Sequence, residues 1–559
     1  MNVLHRRVRP RSFAGRLFLP LTFLVLAALS TLWALASPLM AVPDEPAHAI
    51  KAASVVRGEL LGVSGGEQGD RATVQVPGYI ADLPAQACHA YDGSITADCA
   101  PVVDADDTAL TAAETSAGNY NPMYYFLVGW PSLFMSGAPA VYAMRIVSGL
   151  IGAAFLAVSL GAAARLRRPR WPVAAAIVSL TPMVLFLNGS INPNALEIVT
   201  TAALFLNLCV VFENTTALKS VRTNIVLVGL SGAVLANTRS LSLVWLAMAV
   251  LVPLMMYGFK PLLTVLKNRL GLAMTAVIGV GCVLGLLWVL QADSLKSLTG
   301  RPVDISRLDA AQIMLDRSFN YVSGYIGYMG WLDTPLPMGV YIFWHAAMGA
   351  VVLMGLAAPK LRDRLAVLLL IAAALALPPI LQGQVIQQLG WIWQGRYLLA
   401  VIVLLLLACG VAFREVAFPT GDVARRAGRW LLAGAAAAHL YAFLYVLRRY
   451  TVGLEETIRW PGMLEESVWQ PPFTWQVLGT LYFLVLAAGA VLAYRALFQP
   501  ASQPLVTTAE DAGAPSPTPE KQTASAPETS VPENPVPAVS GPAASGAAAR
   551  HRQPGAEGK

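Results

Sequence analysis

The sequence is poor in charge. Asp, Glu, Lys and Arg make up 13% of its 559 residues, and 56% are hydrophobic. A soluble domain of ordinary composition carries roughly 25% charged residues, so a soluble chain of this length is excluded. Histidine is scarce, at six residues, and no Cys/His spacing resembles a zinc site. There is no Gly-rich phosphate loop, no Gly-x-Ser-x-Gly elbow and no Asp-x-Asp motif on the side assigned below as cytoplasmic. A cytoplasmic nucleotide-using enzyme is therefore disfavoured. No arginine-rich arm interleaves with aromatics, so the net charge of +7 does not point to nucleic acid. Absence of a convincing internal repeat weakens a transporter built on inverted repeats.

What the chain does have is long apolar runs, with a mean hydropathy of +0.58. Many reach the roughly 18–20 residues that cross about 30 Å of hydrocarbon. The pattern predicts an all-α polytopic membrane protein of about 12 helices. The expected spans are 17–39, 138–160, 171–189, 194–212, 224–237, 240–257, 270–291, 339–357, 365–381, 397–413, 430–447 and 475–496. Residues 120–136 are apolar but hold two prolines, and read as an interfacial or re-entrant segment, with a true span as the alternative. The first run follows Arg6, Arg7, Arg9, Arg11 and Arg16 and ends near an Ala34-x-Ala36 site. It is long for a signal peptide, and an uncleaved first span is expected.

Lys and Arg set the orientation. With residues 1–16 in the cytoplasm, twenty-one basic residues fall on short inner segments and five on short outer ones. The transmembrane domain is then 17–496, with outer loops at 40–137 and 292–338. The first outer loop is acidic and long enough for a small ordered subdomain. The Pro/Ala-rich tail, 497–559, is cytoplasmic and expected to be disordered. The expected location is the plasma membrane. Cys209, Cys282 and Cys409 lie in apolar spans as packing residues, while Cys88 and Cys99 in the first outer loop form a plausible disulfide.

The polar signatures fall almost entirely on the outer side. Directly after the first span stands Val42-Pro43-Asp44-Glu45-Pro46-Ala47-His48, followed by Lys51. Asp44 and Glu45 read either as a solvated helix start with Pro46 in its first turn or as a catalytic pair. Partial burial and a like charge raise a carboxylate pKa, which suits a general base acting on a sugar hydroxyl. The same two acids could instead hold a divalent cation, Mg or Mn, with phosphate oxygens. His48 and Lys51 share a helical face.

Arg239, in Asn-Thr-Arg-Ser, and Arg396, in Gln-Gly-Arg-Tyr, sit inside polar clusters at span edges. Snorkelling is the bland reading, and bidentate phosphate binding the functional one. Lys51 could add a charge for a leaving phosphate. Further candidates for an outer substrate cavity are Asn121, Tyr124, Tyr125, Asn192, Asn194, Glu197, Trp331, Asp333 and Gln394. Glu197 lies four residues into a span, where an acid costs roughly 2.5–3.5 kcal/mol at the centre and less near an edge, so it should face a cavity or a partner.

Taken together, Val-Pro-Asp-Glu-Pro-Ala-His-x-x-Lys, Asn-Pro-x-Tyr-Tyr, Gly-Ser-Ile-Asn-Pro-Asn, Asn-Thr-Arg-Ser, Gly-x-x-Gly-Trp-Leu-Asp-x-Pro-Leu-Pro and Gln-Gly-Arg-Tyr-Leu-Leu resemble the bacterial membrane family domain of unknown function 2142 over about residues 15–450. That family resembles the GT-C superfamily of membrane glycosyltransferases. The resemblance implies a polyprenyl-phosphate sugar donor, inversion with an acidic base, and a role in building the cell envelope, in a composition that looks actinobacterial. It makes Asp44 the first candidate base and Glu45 the second, with His48 orienting or sharing the proton. The implied partners are a lipid-linked sugar donor, a glycan or lipid acceptor and membrane lipids. A flippase of lipid-linked glycans and a non-catalytic envelope scaffold are the rival readings.

Overall fold

The computed structural model describes residues 13–63, 71–292, 301–454, 460–465 and 467–499. The chain divides after Ser502, and the described residues all belong to the first unit. The basic residues 1–12 and the tail from 500 onward, where disorder is expected, lie outside the described residues.

The protein is mostly helical. Its long helices are α1 (Phe13–Ala36), α4 (Gly137–Ala163), α7 (Pro193–Glu213), α8 (Arg222–Ala236), α11 (Arg269–Gln291), α12 (Met338–Leu356), α13 (Leu361–Leu389), α14 (Leu399–Ala412), α15 (Asp422–Val452) and α16 (Trp475–Phe498). Two bent pairs join them, α5 (Arg170–Ser179) with α6 (Pro182–Asn188), and α9 (Ser242–Tyr257) with α10 (Phe259–Leu266). Ten helices among the described residues are long and apolar enough to cross a membrane, and counting each bent pair as one span gives twelve. The first pair bends by 68° just before Pro182, because proline disfavours helix in the residue ahead of it. The second bends by 112° at Gly258, whose φ of 83° suits glycine.

α7 and α14 are buried almost throughout and form the centre of the bundle. An aromatic cluster joins α1, α6, α15 and α16. Trp33 of α1 packs edge-on against Phe186, Phe443 and Tyr482, and donates to the Tyr482 hydroxyl at 3.0 Å. α4 crosses α6 closely enough that a Cβ on Gly152 would stand 1.6 Å from Asn188 Oδ1. Small residues permit such close helix contacts in membranes.

The described residues of 37–136 fold as a small subdomain at one end of the bundle. Its centre is α2 (Glu45–Val55), buried on nearly every face. An antiparallel hairpin, β1 (Ala72–Pro77) with β2 (Leu110–Thr115), covers it in the register Ala72 to Thr115. Thr115 Oγ1 donates to the Ala47 carbonyl at 2.8 Å. The apolar stretch at 120–136 is not a span. It is an eight-residue helix, α3 (Pro122–Gly129), followed by a short 3-10 turn over Trp130–Leu133. Cys88 and Cys99 are joined by a disulfide with a Cα separation of 6.1 Å.

The second long loop meets this subdomain. Trp331 Nε1 donates to the Met40 carbonyl at 2.8 Å. At the other end of the bundle the basic segments gather. There Arg168 reaches the Glu415 carbonyl, Lys360 pairs with the Glu415 carboxylate, and Arg414 pairs with buried Asp363 at 2.9 Å. Three of the segments grouped as inner by charge, those around Arg168, Lys360 and Arg414, thus meet at one end of the fold.

Candidate active site

The two adjacent acids face opposite ways. Asp44 stands at the start of α2 with φ 67° and ψ 0°, and its side chain does not cap the helix. Glu45 turns inward, where Arg145 of α4 grips it with Nε to Oε1 at 2.7 Å and Nη2 to Oε2 at 2.6 Å. The Ile191 N–H donates to Oε1 at 3.0 Å and the Val42 N–H to Oε2 at 3.4 Å. Arg145 also donates to the carbonyls of Ala34, Ser37 and Pro38, at 3.1, 2.8 and 2.7 Å. Both side chains are 0% exposed. The Asp44 side chain is 46% exposed, and its Oδ2 accepts from Arg396 Nη2 at 2.5 Å. Arg396 Nη1 holds the neighbouring Pro43 carbonyl at 3.2 Å.

One turn into α2, His48 Nδ1 lies 2.9 Å from the Tyr125 hydroxyl, and the two rings stack. Burial pushes the imidazole down to about 3, against the opposing pull of Asp44, so His48 is neutral near pH 7. Arg239 approaches from the turn between α8 and α9. It donates to Asn194 Oδ1 and pairs with Glu197 at 3.6 Å. Its guanidinium lies over the rings of Tyr120 and Tyr397, at 5.8 and 5.6 Å. Glu197 accepts from Ser242 Oγ at 2.7 Å, so this acid has the partner its place in a span demands.

Beside Arg396 and Pro43 opens a cavity of about 240 Å³. Its wall includes Pro43, Phe186, Tyr321, Tyr328, Trp393 and Arg396. Three lining residues from one short corner carry buried polar atoms without a hydrogen-bond partner: Trp393 Nε1, Gln394 Oε1 and Arg396 Nε. Buried polar atoms are paired in the great majority of cases, so such a concentration calls for a ligand or solvent. A concave, mainly apolar space with a few convergent polar groups is the usual form of a small-molecule site.

Other residues singled out in the sequence have different surroundings. Lys51 is buried and donates to the carbonyls of Leu60 and Gly118, at 2.6 and 2.5 Å. It ties α2 to the outer loop, and burial pushes its ammonium down to about 8, against Glu59. Asn121 caps α3 and donates to Asn237 Oδ1 at 3.2 Å. Asn192 caps α7 and contacts the Pro43 carbonyl at 3.4 Å. Tyr124 is buried against Ser148 Oγ at 3.0 Å. Asp333 pairs with Arg449 at 3.3 Å and belongs to a clamp between the two long loops.

Sequence reasoning passed over Arg145, Arg449, Tyr91, Tyr120 and Tyr397. Arg145 had a usable signal, because it stands inside an apolar span where a cation needs an internal partner. Tyr397 closes the Gln-Gly-Arg-Tyr motif without being picked out, and nothing comparable marked Tyr91 or Tyr120. The acids do not make a shared cation site, because both oxygens of Glu45 are engaged by Arg145 and backbone N–H groups. Among the described residues no group of three or more His, Cys, Asp or Glu gathers to hold a metal ion.

These features define a multi-pass helical membrane protein with a polar basin at one end of its bundle. The chain belongs to the DUF2142 family of predicted membrane proteins, whose model matches residues 10–405. No curated protein matches it. Among solved structures it is similar to ArnT from Cupriavidus metallidurans bound to undecaprenyl phosphate. That likeness has a TM-score of 0.42 and 13% identity, and covers 85% of this chain and 75% of that one. For the apo state of the same protein the TM-score is 0.39 at 13% identity, over 85% and 74%.

Proposed function

We propose that this protein is a membrane glycosyltransferase that transfers a sugar from a polyprenyl-phosphate donor to an acceptor hydroxyl. The observation that carries the reading is the divergence of the two acids. Glu45 is sealed against Arg145, while Asp44 stays partly exposed and pairs with Arg396, which lines a 240 Å³ cavity. A carboxylate held by one arginine, with its other edge accessible, suits a general base. The donor class follows from the family resemblance and from the two arginines at the basin.

In this reading the donor sugar occupies the cavity. Arg396 orients Asp44 rather than binding phosphate. Arg239, braced by Glu197 and Asn194 between two tyrosine rings, meets the donor phosphate. Asp44 takes the proton of the acceptor hydroxyl as that oxygen attacks the anomeric carbon. The bond from that carbon to the phosphate oxygen breaks, and polyprenyl phosphate leaves with the electron pair. Neutral His48 and Tyr125 form a fixed hydrogen-bonded wall behind the base. The face bearing α2 is the extracytoplasmic one, by the distribution of Lys and Arg.

The test is a transfer assay with purified wild type and Asp44→Asn, using a panel of radiolabelled polyprenyl-phosphate sugars and a membrane acceptor extract. Wild type transfers, and Asp44→Asn loses about 100-fold or more of that rate while keeping its thermal stability. Equal transfer by the two proteins removes Asp44 from the base role. No transfer from any donor by folded wild type favours a flippase or a scaffold.

A further inference from the structure

Among the described residues six non-glycine positions have left-handed φ, and four of them gather at the mouth of the basin. They are Met40 (61°), Asp44 (67°), Tyr91 (69°) and Leu332 (64°). Met40 accepts from Trp331, Leu332 lines the cavity with Arg396, and Tyr91 packs edge-on against Trp331 at 5.4 Å. Such conformations persist only where the surroundings enforce them.

The enforcement at Tyr91 is specific. Its N–H donates to Asp333 Oδ2 at 3.1 Å. Asp333 is paired with Arg449, whose guanidinium also donates to the carbonyls of His89, Asp92 and Ile95. The Cys88–Cys99 disulfide closes this same loop. All this fixes the backbone of a residue that is 75% exposed. An aromatic that merely anchors a loop in a lipid interface needs no such fixed backbone. The Tyr91 ring packs on Trp331, whose indole N–H is held by the Met40 carbonyl four residues ahead of Asp44.

We propose that Tyr91 and Trp331 form the platform that receives the acceptor, and that the acceptor is an uncharged glycan. This rests on the transferase reading and deepens it. Sugar rings present C–H faces that pack on the electron-rich face of an aromatic ring. The loop charge sets the preference for a neutral glycan. Asp92 follows Tyr91 directly, Asp98 stands in the same loop, and no Lys or Arg occurs between Arg71 and Arg145, so an anionic chain meets repulsion with no compensating cation from this segment. Trp331 belongs to one of the sequence motifs, whereas Tyr91 belongs to none.

The experiment is saturation-transfer NMR on the purified full chain. The probes are short neutral gluco-, manno- and galacto-oligosaccharides, with oligogalacturonate as the anionic comparison. Wild type saturates the ring protons of at least one neutral series more strongly than the anionic one. Tyr91→Phe retains binding, and Tyr91→Ala weakens it by about tenfold, the upper end of one aromatic contact. The NMR experiment needs no transfer chemistry, so loss of the platform is read there and loss of the base in the transfer assay. In the transfer assay Tyr91→Ala raises the acceptor KM and leaves kcat nearly unchanged. Equal binding by Tyr91→Ala and wild type, preference for oligogalacturonate, or no binding by wild type overturns the proposal.

Discussion

Glu45 and Arg145 form an ion pair closed to solvent, one residue along the chain from the open pair of Asp44 and Arg396. The closed pair shapes the open one. Arg145 collects three carbonyls from the end of α1 and both oxygens of Glu45, and so pins the reversal from α1 into α2. With that reversal pinned, Asp44 is left in a left-handed turn with its carboxylate directed at Arg396 and not at the end of its own helix.

Removing one partner of the closed pair leaves a buried charge without compensation. Arg145→Leu is expected to destabilise by about 3–5 kcal/mol. The double variant Arg145→Leu/Glu45→Gln should be less destabilised than Arg145→Leu alone. Thermal unfolding in detergent measures both. A double variant worse than the single would show that the pair is not what holds the turn.

Arg239 separates charge from geometry. Lysine keeps the charge but not the fork that engages Asn194 and Glu197 together. Arg239→Lys is expected to weaken binding of polyprenyl phosphate by about tenfold, with little change in melting temperature. Titration of the lipid phosphate against purified protein reads this directly. Unchanged affinity would move phosphate binding away from Arg239.

Two histidines of the loop subdomain are held neutral. Burial pushes His48 down to about 3, and burial with the nearby Arg449 pushes His89 down to about 4. Both ring nitrogens of His89 lack a hydrogen-bond partner. An unfolded histidine titrates near 6.5, so below that pH the unfolded chain takes up protons that the folded chain refuses. Their contribution is complete above about pH 6.5 and is lost as pH falls toward 4. Replacing both with glutamine should reduce the fall in melting temperature between pH 7 and pH 4.5. An identical fall in wild type and variant would assign the acid sensitivity to other groups.

Close packing gives a prediction independent of function. A Cβ on Gly129 would stand 2.1 Å from the Ala52 carbonyl oxygen, where α3 meets α2. Gly129→Ala is expected to cost about 1–3 kcal/mol by forcing the two helices apart. The same change at Gly279, which faces open space, should be neutral or slightly stabilising. Paired melting curves distinguish them.

The number and placement of the spans were legible in the sequence, since hydropathy over about 20 residues is a local property and the bilayer sets its length scale. The break in the third span was not read, although Pro182 stands in mid-run. The gathering of Asp44, His48, Arg239 and Arg396 was legible too, as polar clusters at span edges. What no local pattern contained was the direction of each side chain. Asp44 and Glu45 are neighbours of the same chemistry, and only contacts with Arg145, more than 90 positions on, and Arg396, more than 300 on, make one closed and the other open. Lys51 reads as a free cation near the site until the carbonyls of Leu60 and Gly118 take it. Tyr91 and Trp331 meet across two loops that share no sequence signal. The sequence alone determined a membrane bundle with a polar edge, because burial in lipid is decided by composition. Tertiary structure decided which acid is available, because a charge is open or sealed according to partners that only the fold brings within 3 Å.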